Sequence, residues 1–278
     1  MAGSTIIKRL TKDDYPAFEE LDNTSFSGDE MSKDSFDYSL SEPGFVGLFS
    51  GNILIGYLLV RVYDSYVHLA RIAIAPNYRG QGLSHRLMQY AITFAQNLDA
   101  QEIALYVKSD NKVAINLYQF YEFTIEFQSW HYIINLPKFL TQDFSGRDDN
   151  YQLAEFDKDQ FPELKRQFPS LNFKQLRIWK KEANSGETSN QFPILMNQED
   201  EIVVFSRFNA NFSGCMPFVY KDLAQVDQFI YLLAKNYILN DRDYLRLTFD
   251  RSKELADRFD QWHYKQHHHL YKMHRRLQ

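Results

Sequence analysis

The stretch "NYRGQGLSHRL", residues 77 to 87, sets Arg79, Gly80 and Gly82 between an apolar run and a segment of helical periodicity. A helix N-terminus carries unpaired N–H groups and a partial positive charge. Glycine at that point lets backbone amides approach an anion with no Cβ in the way. The chemistry this pattern could do is to seat a phosphate or pyrophosphate; the structural alternative is a strand-to-helix turn tightened by glycine. Two common nucleotide loops do not fit. No Gly-Lys-Ser/Thr follows, and the preceding strands read as a meander rather than as the opening of a strand-helix-strand unit.

Further along, "NKVAINLYQFYEF" contains Asn111, Ala114, Leu117 and Tyr118. Together the two stretches resemble the GNAT family of acetyl-CoA-dependent N-acetyltransferases. The family signature Gln/Arg-x-x-Gly-x-Gly/Ala is met by Arg79, Gly82 and Ser84 in "RGQGLS". The second motif, Asn-x-x-Ala-x-x-Leu-Tyr and then Gly-Phe, is met by Asn111, Ala114, Leu117 and Tyr118, with Glu122 before Phe123 where glycine is usual. The resemblance covers residues 5 to 137.

What the resemblance implies is a set of roles. Backbone groups of Ile72, Ala73 and Ile74 would pair with the pantetheine arm of acetyl-CoA like an added strand. Amides of Gly80, Gln81, Gly82, Leu83, Ser84 and His85 would hold the pyrophosphate, with Arg79 opening the motif, and Asn111 would hydrogen-bond the cofactor arm. Ser84 adds a hydroxymethyl group where the family has glycine or alanine, which crowds the phosphate or donates to it. Tyr118 matches the family tyrosine beside the sulfur, the general acid; from the residues alone it reads equally as a core aromatic.

Acetyl transfer needs a neutral amine and a thiolate that leaves more easily when protonated. Where one branch of the family has a glutamate on the fourth strand, this chain has His68, whose imidazole could take the amine proton or simply pack. Where the ribosomal-protein alanine acetyltransferases carry a glutamate ahead of the tyrosine, this chain has Tyr106, so that base is absent. The acceptor is expected near the polar stretch Asp22 to Glu42, which in this family usually walls the substrate side. That stretch holds Asp22, Asp29, Glu30, Asp34, Asp37 and Glu42 against Lys33 alone. A field of that sign favours a cationic amine, unless the stretch is merely a solvated loop.

These residues need elements to hold them. Thr5 to Leu10 reads as a strand and Asp13 to Leu21 as a helix. "GFVGLFS" and "ILIGYLLVRVYD" read as a hairpin through Gly51 and Asn52. "YVHLARIAIAP" is a strand that Pro76 ends, with His68, Ala70 and Ile72 expected on one face by alternation. A helix runs from the glycine turn to about Leu98, then come "EIALYVK" as a strand, "NKVAINLYQFY" as a helix and the β-rich "FTIEFQSWHYIINL".

The second half repeats this order. "KDDYP" at Lys12 to Pro16 and "KDQFP" at Lys158 to Pro162 each follow a strand-like segment and open a helix. The expected fold class is α/β (α+β): a GNAT fold with a mixed, mainly antiparallel sheet flanked by helices, duplicated in tandem. The domains are 1–140, carrying the acetyl-CoA site, and 150–278, with a polar connection at 141–150 and a loop at 180–190 inside the second copy. No glycine follows Gly214, so the second copy has no counterpart of Gly80 and Gly82. Its position spaced like Tyr118 falls near Asp260. That copy would support the first, shape the acceptor site, or mediate homodimerisation.

Composition bounds the rest. Of the 278 residues, 44% are hydrophobic and 16% aromatic, well above the level at which a chain stays disordered. The net charge of −5 gives no basic footprint, which argues against nucleic acid and anionic membrane as partners. Cys215 is the one cysteine, so no intrachain disulfide forms and a reducing, cytoplasmic setting is expected; it reads as a small buried hydrophobe. No signal-peptide core or membrane-length apolar run occurs. "HHHLYKMHRR" lacks carboxylate or cysteine partners at ligand spacing, so no metal is expected. The reading is an N-acetyltransferase that moves acetyl from acetyl-CoA to a primary amine by direct attack in a ternary complex. The alternative is a non-catalytic acetyl-CoA-binding or sensing protein.

Overall fold

The computed structural model of the chain describes residues 5–63, 66–141, 150–184, 186, 190–210, 213–236 and 243–277. The first half runs β1 (Thr5–Arg9), α1 (Tyr15–Ser25), α2 (Lys33–Ser39), β2 (Gly44–Ser50), β3 (Ile53–Tyr63), β4 (Tyr66–Ile74), α3 (Leu83–Asn97), β5 (Glu102–Lys108), α4 (Lys112–Phe120), β6 (Thr124–Asn135) and α5 (Leu136–Leu140). The second runs β7 (Gln152–Glu155), α6 (Phe161–Gln167), α7 (Phe173–Asn184), β8 (Asn190–Gln191), β9 (Pro193–Met196), β10 (Ile202–Asn209), β11 (Gly214–Tyr220), α8 (Leu223–Asn236), β12 (Tyr244–Asp250), α9 (Lys253–Gln261) and β13 (Lys265–Arg276).

Apart from α5 and the two-residue β8, the two orders match, and the match reaches individual hydrogen bonds. Each copy opens with a capping box ahead of its first helix. In one, Asp14 accepts from the Thr11 amide at 2.8 Å; in the other, Gln160 accepts from the Asp157 amide at 2.8 Å. At the end of α4 the Phe123 amide bonds the Tyr118 carbonyl at 3.0 Å, and after α9 the Tyr264 amide bonds the Phe259 carbonyl at 3.0 Å. Glu122 and His263 occupy the same left-handed position in these turns, at φ 63° and 55°. Glycine, usual at this point of the motif the sequence resembles, adopts that φ without Cβ strain. Glu122 adopts it while pairing with Arg275 at 3.1 Å.

The chain divides into two compact units, residues 1–127 with 270–278, and 128–269. The strand order in the first is β1-β2-β3-β4-β5-β13, and in the second β7-β9-β10-β11-β12-β6, with β8 on β10. Each sheet thus takes its sixth strand from the other half of the sequence. β13 runs antiparallel to β5 from Leu270 opposite Lys108 to Arg276 opposite Glu102, and β6 runs antiparallel to β12 from Ser129 opposite Asp250 to Asn135 opposite Tyr244. The division expected at 141–150 therefore lies elsewhere; residues 142–149 are outside the described residues. A polar segment marks a connection, but composition does not say which sheet the next strand joins.

In the first unit one core forms between the sheet and α3 and α4, around Leu87, Met88, Ile103, Leu105, Tyr118 and Met273. The opposite face packs Phe18, Leu21, Phe36, Phe45 and Tyr57 under α1 and α2. Three helical segments lie where no helix was expected. α2 interrupts the polar stretch because Ser32 caps it, Phe36 buries beneath it and Lys33 pairs with Asp37 one turn on at 2.9 Å. α5 is capped by Asn135, and α7 carries residues 180–184 of the expected loop at 180–190.

β4 departs from simple alternation. Leu59 pairs with Arg71 but Val60 with Leu69, so Ala70 is an extra residue in β4. Ala70 consequently faces the α1–α2 core and Ile72 the α3–α4 core, not one common face. A single inserted residue reverses the facing of everything beyond it.

Candidate active site

The parallel ladder between β4 and β5 has three rungs: Tyr66 with Glu102, Val67 with Ile103 and His68 with Ala104. Beyond His68, β4 continues against β3 while β5 continues against β13. The two strands have parted, and one edge of β4 is open. The bond from the Ala75 amide to the Ile55 carbonyl, 2.9 Å, sets the phase of the antiparallel β3–β4 ladder. Ile72 and Ile74 aim their backbone groups into the fork. Ala73, grouped with them in the sequence reading, turns its own toward Tyr57.

The open edge leads straight into the glycine turn. Gly80 and Gly82 are both left-handed, at φ 73° and 74°, and Gly82 is the N-cap of α3 with no side chain capping it. A Cβ added to either glycine would meet nothing within 4 Å. Glycine is required here by backbone conformation, and the space beside the turn is open. The amides of Leu83 and Ser84 lie in the first turn of α3, where no intrahelical acceptor exists. The His85 amide folds back on the Gly82 carbonyl at 3.1 Å. Arg79 donates from Nε to the Ile74 carbonyl at 2.9 Å, tying the turn to the end of β4, and Gln81 reaches the Asn77 carbonyl at 3.4 Å. His85 approaches Tyr121 at 3.2 Å, and Tyr121 donates back to the His85 carbonyl at 3.0 Å, joining the start of α3 to the end of α4. The turn is braced at both ends and uncapped in the middle.

Asn111 caps α4 by accepting from the Ala114 amide at 3.1 Å, which leaves its side-chain NH2 to donate elsewhere. Tyr118 is 5% exposed, in the same core as Ile72, Ile74 and Leu83, and its hydroxyl has no hydrogen-bond partner among the described residues. Burial alone pushes its ionisation above the ordinary tyrosine value, so the hydroxyl keeps its proton.

His68 lies on the other face of the sheet. Val67 and Leu69 on either side of it join the core of Tyr118, and alternation turns His68 away from them, with its ring 6.1 Å from that of Tyr106. Burial, with Arg61 and Lys272 adding positive charge, lowers its pKa to about 4, and a hydrogen bond to the backbone of Ala104 pulls weakly the other way. His68 is therefore neutral at pH 7. Lys272 on β13 pairs with Glu126 at 2.8 Å and sits 5.2 Å above the Phe127 ring, which itself lies 6.4 Å from Tyr106. The sequence reading missed these neighbours, because the residue that reaches this site comes from the far end of the chain.

The acidic stretch is less free than its composition implies. Asp22 is fully buried and accepts from the Met31 amide at 2.6 Å, from Tyr57 and from Arg71 at 2.7 Å. Asp37 is neutralised by Lys33. Glu30 is exposed, and a bond from the Gly28 amide at 2.7 Å holds its carboxyl below the usual range. Exposed negative charge remains at Asp29, Glu30 and Asp34.

The second unit repeats the scaffold without the uncapped turn or the tyrosine. β11 and β12 share two parallel rungs, Gly214 with Arg246 and Cys215 with Leu247. Only Lys221 and Asp222 connect β11 to α8, and the Asp222 carboxylate accepts from the Ala224 amide at 2.8 Å while Gln225 accepts from the Asp222 amide at 3.0 Å. The protein's own carboxylate thus occupies the helix N-terminus that an anion would need. The counterpart of Tyr118, counted from the capping Asn111 and Ser252, is the fully buried Phe259, next to Asp260 as expected. Cys215 is buried, and burial pushes its thiol up to about 12, so it is no nucleophile.

Among the described residues no group of three or more His, Cys, Asp or Glu side chains is placed to hold a metal ion, and no helix is long and apolar enough to cross a membrane.

The family model described as Acetyltransferase (GNAT) family matches residues 7–123, from β1 to the turn after α4. The N-alpha-acetyltransferase RimI of Mycobacterium tuberculosis is 31% identical over 120 residues, which is 41% of this chain and 74% of that protein. The chain belongs to the GNAT acetyltransferase family. Its GNAT fold is present twice. The GCN5-related N-acetyltransferase of Sphaerobacter thermophilus aligns with a TM-score of 0.70 at 14% identity, covering 98% of this chain and 95% of that one. A tandem GNAT protein from the clavulanic acid biosynthesis pathway aligns at 0.65 and 11%, covering 98% of each. Within this GNAT chain, the family glycine turn and tyrosine occur in the first unit alone.

Proposed function

We propose that the first unit binds acetyl-CoA in the β4–β5 fork and transfers its acetyl group to a primary amine by direct attack in a ternary complex. The observation that carries this is the parting of β4 from β5 after His68, which leaves the backbone of Ile72 and the amide of Ile74 without a strand partner on one side, Arg79 taking the Ile74 carbonyl, and leads directly into the uncapped N-terminus of α3. Buried backbone groups require partners, and an extended amide-bearing arm ending in a pyrophosphate satisfies both the edge and the turn.

Bound there, acetyl-CoA supplies an activated thioester. Ile72 and Ile74 would align its arm as a further strand. First-turn amides from Gly80 to Ser84 would hold the pyrophosphate, the Ser84 hydroxyl adding a donor, while Arg79 keeps the turn in register with the strand. The Asn111 NH2 is free to bond the arm. Tyr118 holds a proton at its hydroxyl that burial makes hard to lose to solvent, the state required of a general acid.

His68 is a weaker case. A general base works best with a pKa near the working pH, and a group near 4 accepts an ammonium proton poorly. The amine therefore arrives neutral or sheds its proton to water, and His68 serves as a neutral wall of the acceptor side. The second unit contributes no acetyl-CoA site, since Asp222 and Phe259 replace the anion seat and the acid.

The test is acetyl transfer from labelled acetyl-CoA to spermidine, an aminoglycoside and alanine-initiated peptides, with Tyr118→Phe as control. Turnover of any of these, lost in the variant, supports the enzyme. Tight acetyl-CoA binding with no turnover favours the sensing alternative. The likeness to an N-alpha-acetyltransferase favours the peptide acceptor, and turnover of free small amines alone would count against that choice.

A further inference from the structure

We infer that Arg71 is a positioning residue that sets acceptor selectivity by pinning the connection between α1 and α2, residues 26–31, to the strand that holds the acetyl donor. This rests on the reading that the connection walls the acceptor side.

Arg71 lies three residues beyond the last β4–β5 rung and immediately before Ile72. Its guanidinium contacts three residues at once. Nη1 donates to Asp22 at 2.7 Å; Nη2 donates to the Asp29 carbonyl and lies 3.5 Å from the Asp29 carboxylate; its face covers the Phe26 ring at 4.4 Å. Asp22 in turn receives the Met31 amide and the Tyr57 hydroxyl. Both ends of the connection therefore converge on the Asp22–Arg71 pair.

Between its packed ends, Phe26 against Tyr57 and Met31 in the core, the connection has little else to order it. Ser27 to Glu30 are exposed, and Gly28 sits at φ 83°. Its remaining bonds are local: Asp29 amide to Phe26 carbonyl at 2.8 Å, and Gly28 amide to Glu30. Its tie to β4 is Arg71. Placement of the exposed carboxylates of Asp29 and Glu30, and hence the field an incoming amine meets, follows from that tie.

Only a planar guanidinium serves both a carboxylate and a second acceptor while stacking on an aromatic ring. Lysine can keep the ion pair with buried Asp22 but not the bond to Asp29 and the stacking on Phe26 together. Arg71→Lys thus separates folding from positioning. Arg71→Met would strand Asp22 without a cation and is expected to destabilise the unit, so it is not the variant of choice.

The experiment measures KM for acetyl-CoA and for two acceptors, spermidine and an alanine-initiated hexapeptide, in wild type and Arg71→Lys, with amide hydrogen exchange on both proteins. Displacing a substrate wall by about an ångström costs up to roughly 100-fold. The expected result is KM for the preferred acceptor raised about 10-fold or more and a changed ratio of kcat/KM between the two acceptors. KM for acetyl-CoA stays within about two-fold, and amide exchange accelerates at Asp29 but not at Met31, whose amide Asp22 still holds, nor in β3 or β4. Equal effects on both substrates, or no effect on the acceptor, would overturn the inference while leaving the enzyme reading intact. Wild-type protein that binds acetyl-CoA but acetylates neither these probes nor an aminoglycoside would sink the enzyme reading, and the selectivity role with it.

Discussion

His68 and Ala104 form the last rung joining β4 to β5, and past that rung the two strands take different partners. The fork brings three things together on one strand. His68 stands at its apex, Ile72 and Ile74 present backbone groups along its edge, and the glycine turn follows at its end. Tyr118 approaches from the α3–α4 face and His68 from the other, so the candidate acid and the candidate acceptor wall lie on opposite sides of the sheet.

One acetyl-CoA should bind per chain, because Asp222 already caps the equivalent helix in the second unit. Gly82→Asp should abolish that binding by setting a carboxylate against the pyrophosphate. Gly82→Ala carries no charge and should cost about 1–2 kcal/mol through the left-handed backbone alone. Calorimetric titration reads stoichiometry and affinity for all three proteins. Two sites per chain, or Gly82→Asp with wild-type affinity, would contradict the assignment.

Tyr118→Phe should lower kcat by roughly 10²- to 10⁴-fold, the usual contribution of a positioned acid or base, while leaving acetyl-CoA affinity close to wild type. Because burial raises the Tyr118 ionisation, no alkaline limb from this group should enter the profile below about pH 10. Steady-state kinetics across pH checks both, and an unchanged kcat in the variant would reduce Tyr118 to a core aromatic.

His68 and His131 each have a folded-state pKa of about 4, chiefly through burial, against an ordinary 6.5. The unfolded chain therefore takes up protons first as pH falls. Their contribution to stability should be complete above about pH 6.5, erode as pH drops through the interval, and be gone below 4. Denaturant melts between pH 7 and 4 should show this slope, made shallower by His68→Gln. If His68 does accept the amine proton, the acidic limb of kcat/KM should lie near 4 and vanish in His68→Ala; an unaltered profile would retire it as a base.

Met273 is fully buried in the core of the first unit, although it lies in the last strand of the chain. Met273→Ala should destabilise that unit by about 2–5 kcal/mol and lower the melting transition that acetyl-CoA shifts. A variant that lost stability only in the transition insensitive to acetyl-CoA would show that β13 belongs to the other unit.

Much of this was legible in the linear chain, because the deciding signals are local. The spacing of Arg79, Gly82 and Ser84, and of Asn111, Ala114 and Tyr118, lies within single turns or helices, where side-chain chemistry and backbone φ act over a few residues. The paired "KDDYP" and "KDQFP" segments marked the duplication for the same reason. α2 was missed because its seven residues bury only Phe36 and Ser39, too few for a periodic signal. The bulge at Ala70 was invisible because an inserted residue changes register, not composition.

By itself the sequence determined the family, most of the order of elements, the single glycine turn and the tyrosine that goes with it. Tertiary structure alone decided that β13 completes the first sheet and β6 the second, that Asp22 is spent on Arg71 rather than on a substrate, and that Phe259 stands where the second unit would need a tyrosine. Those outcomes depend on which strand reaches an open edge and which charges become buried together, and residues far apart in the chain settle both.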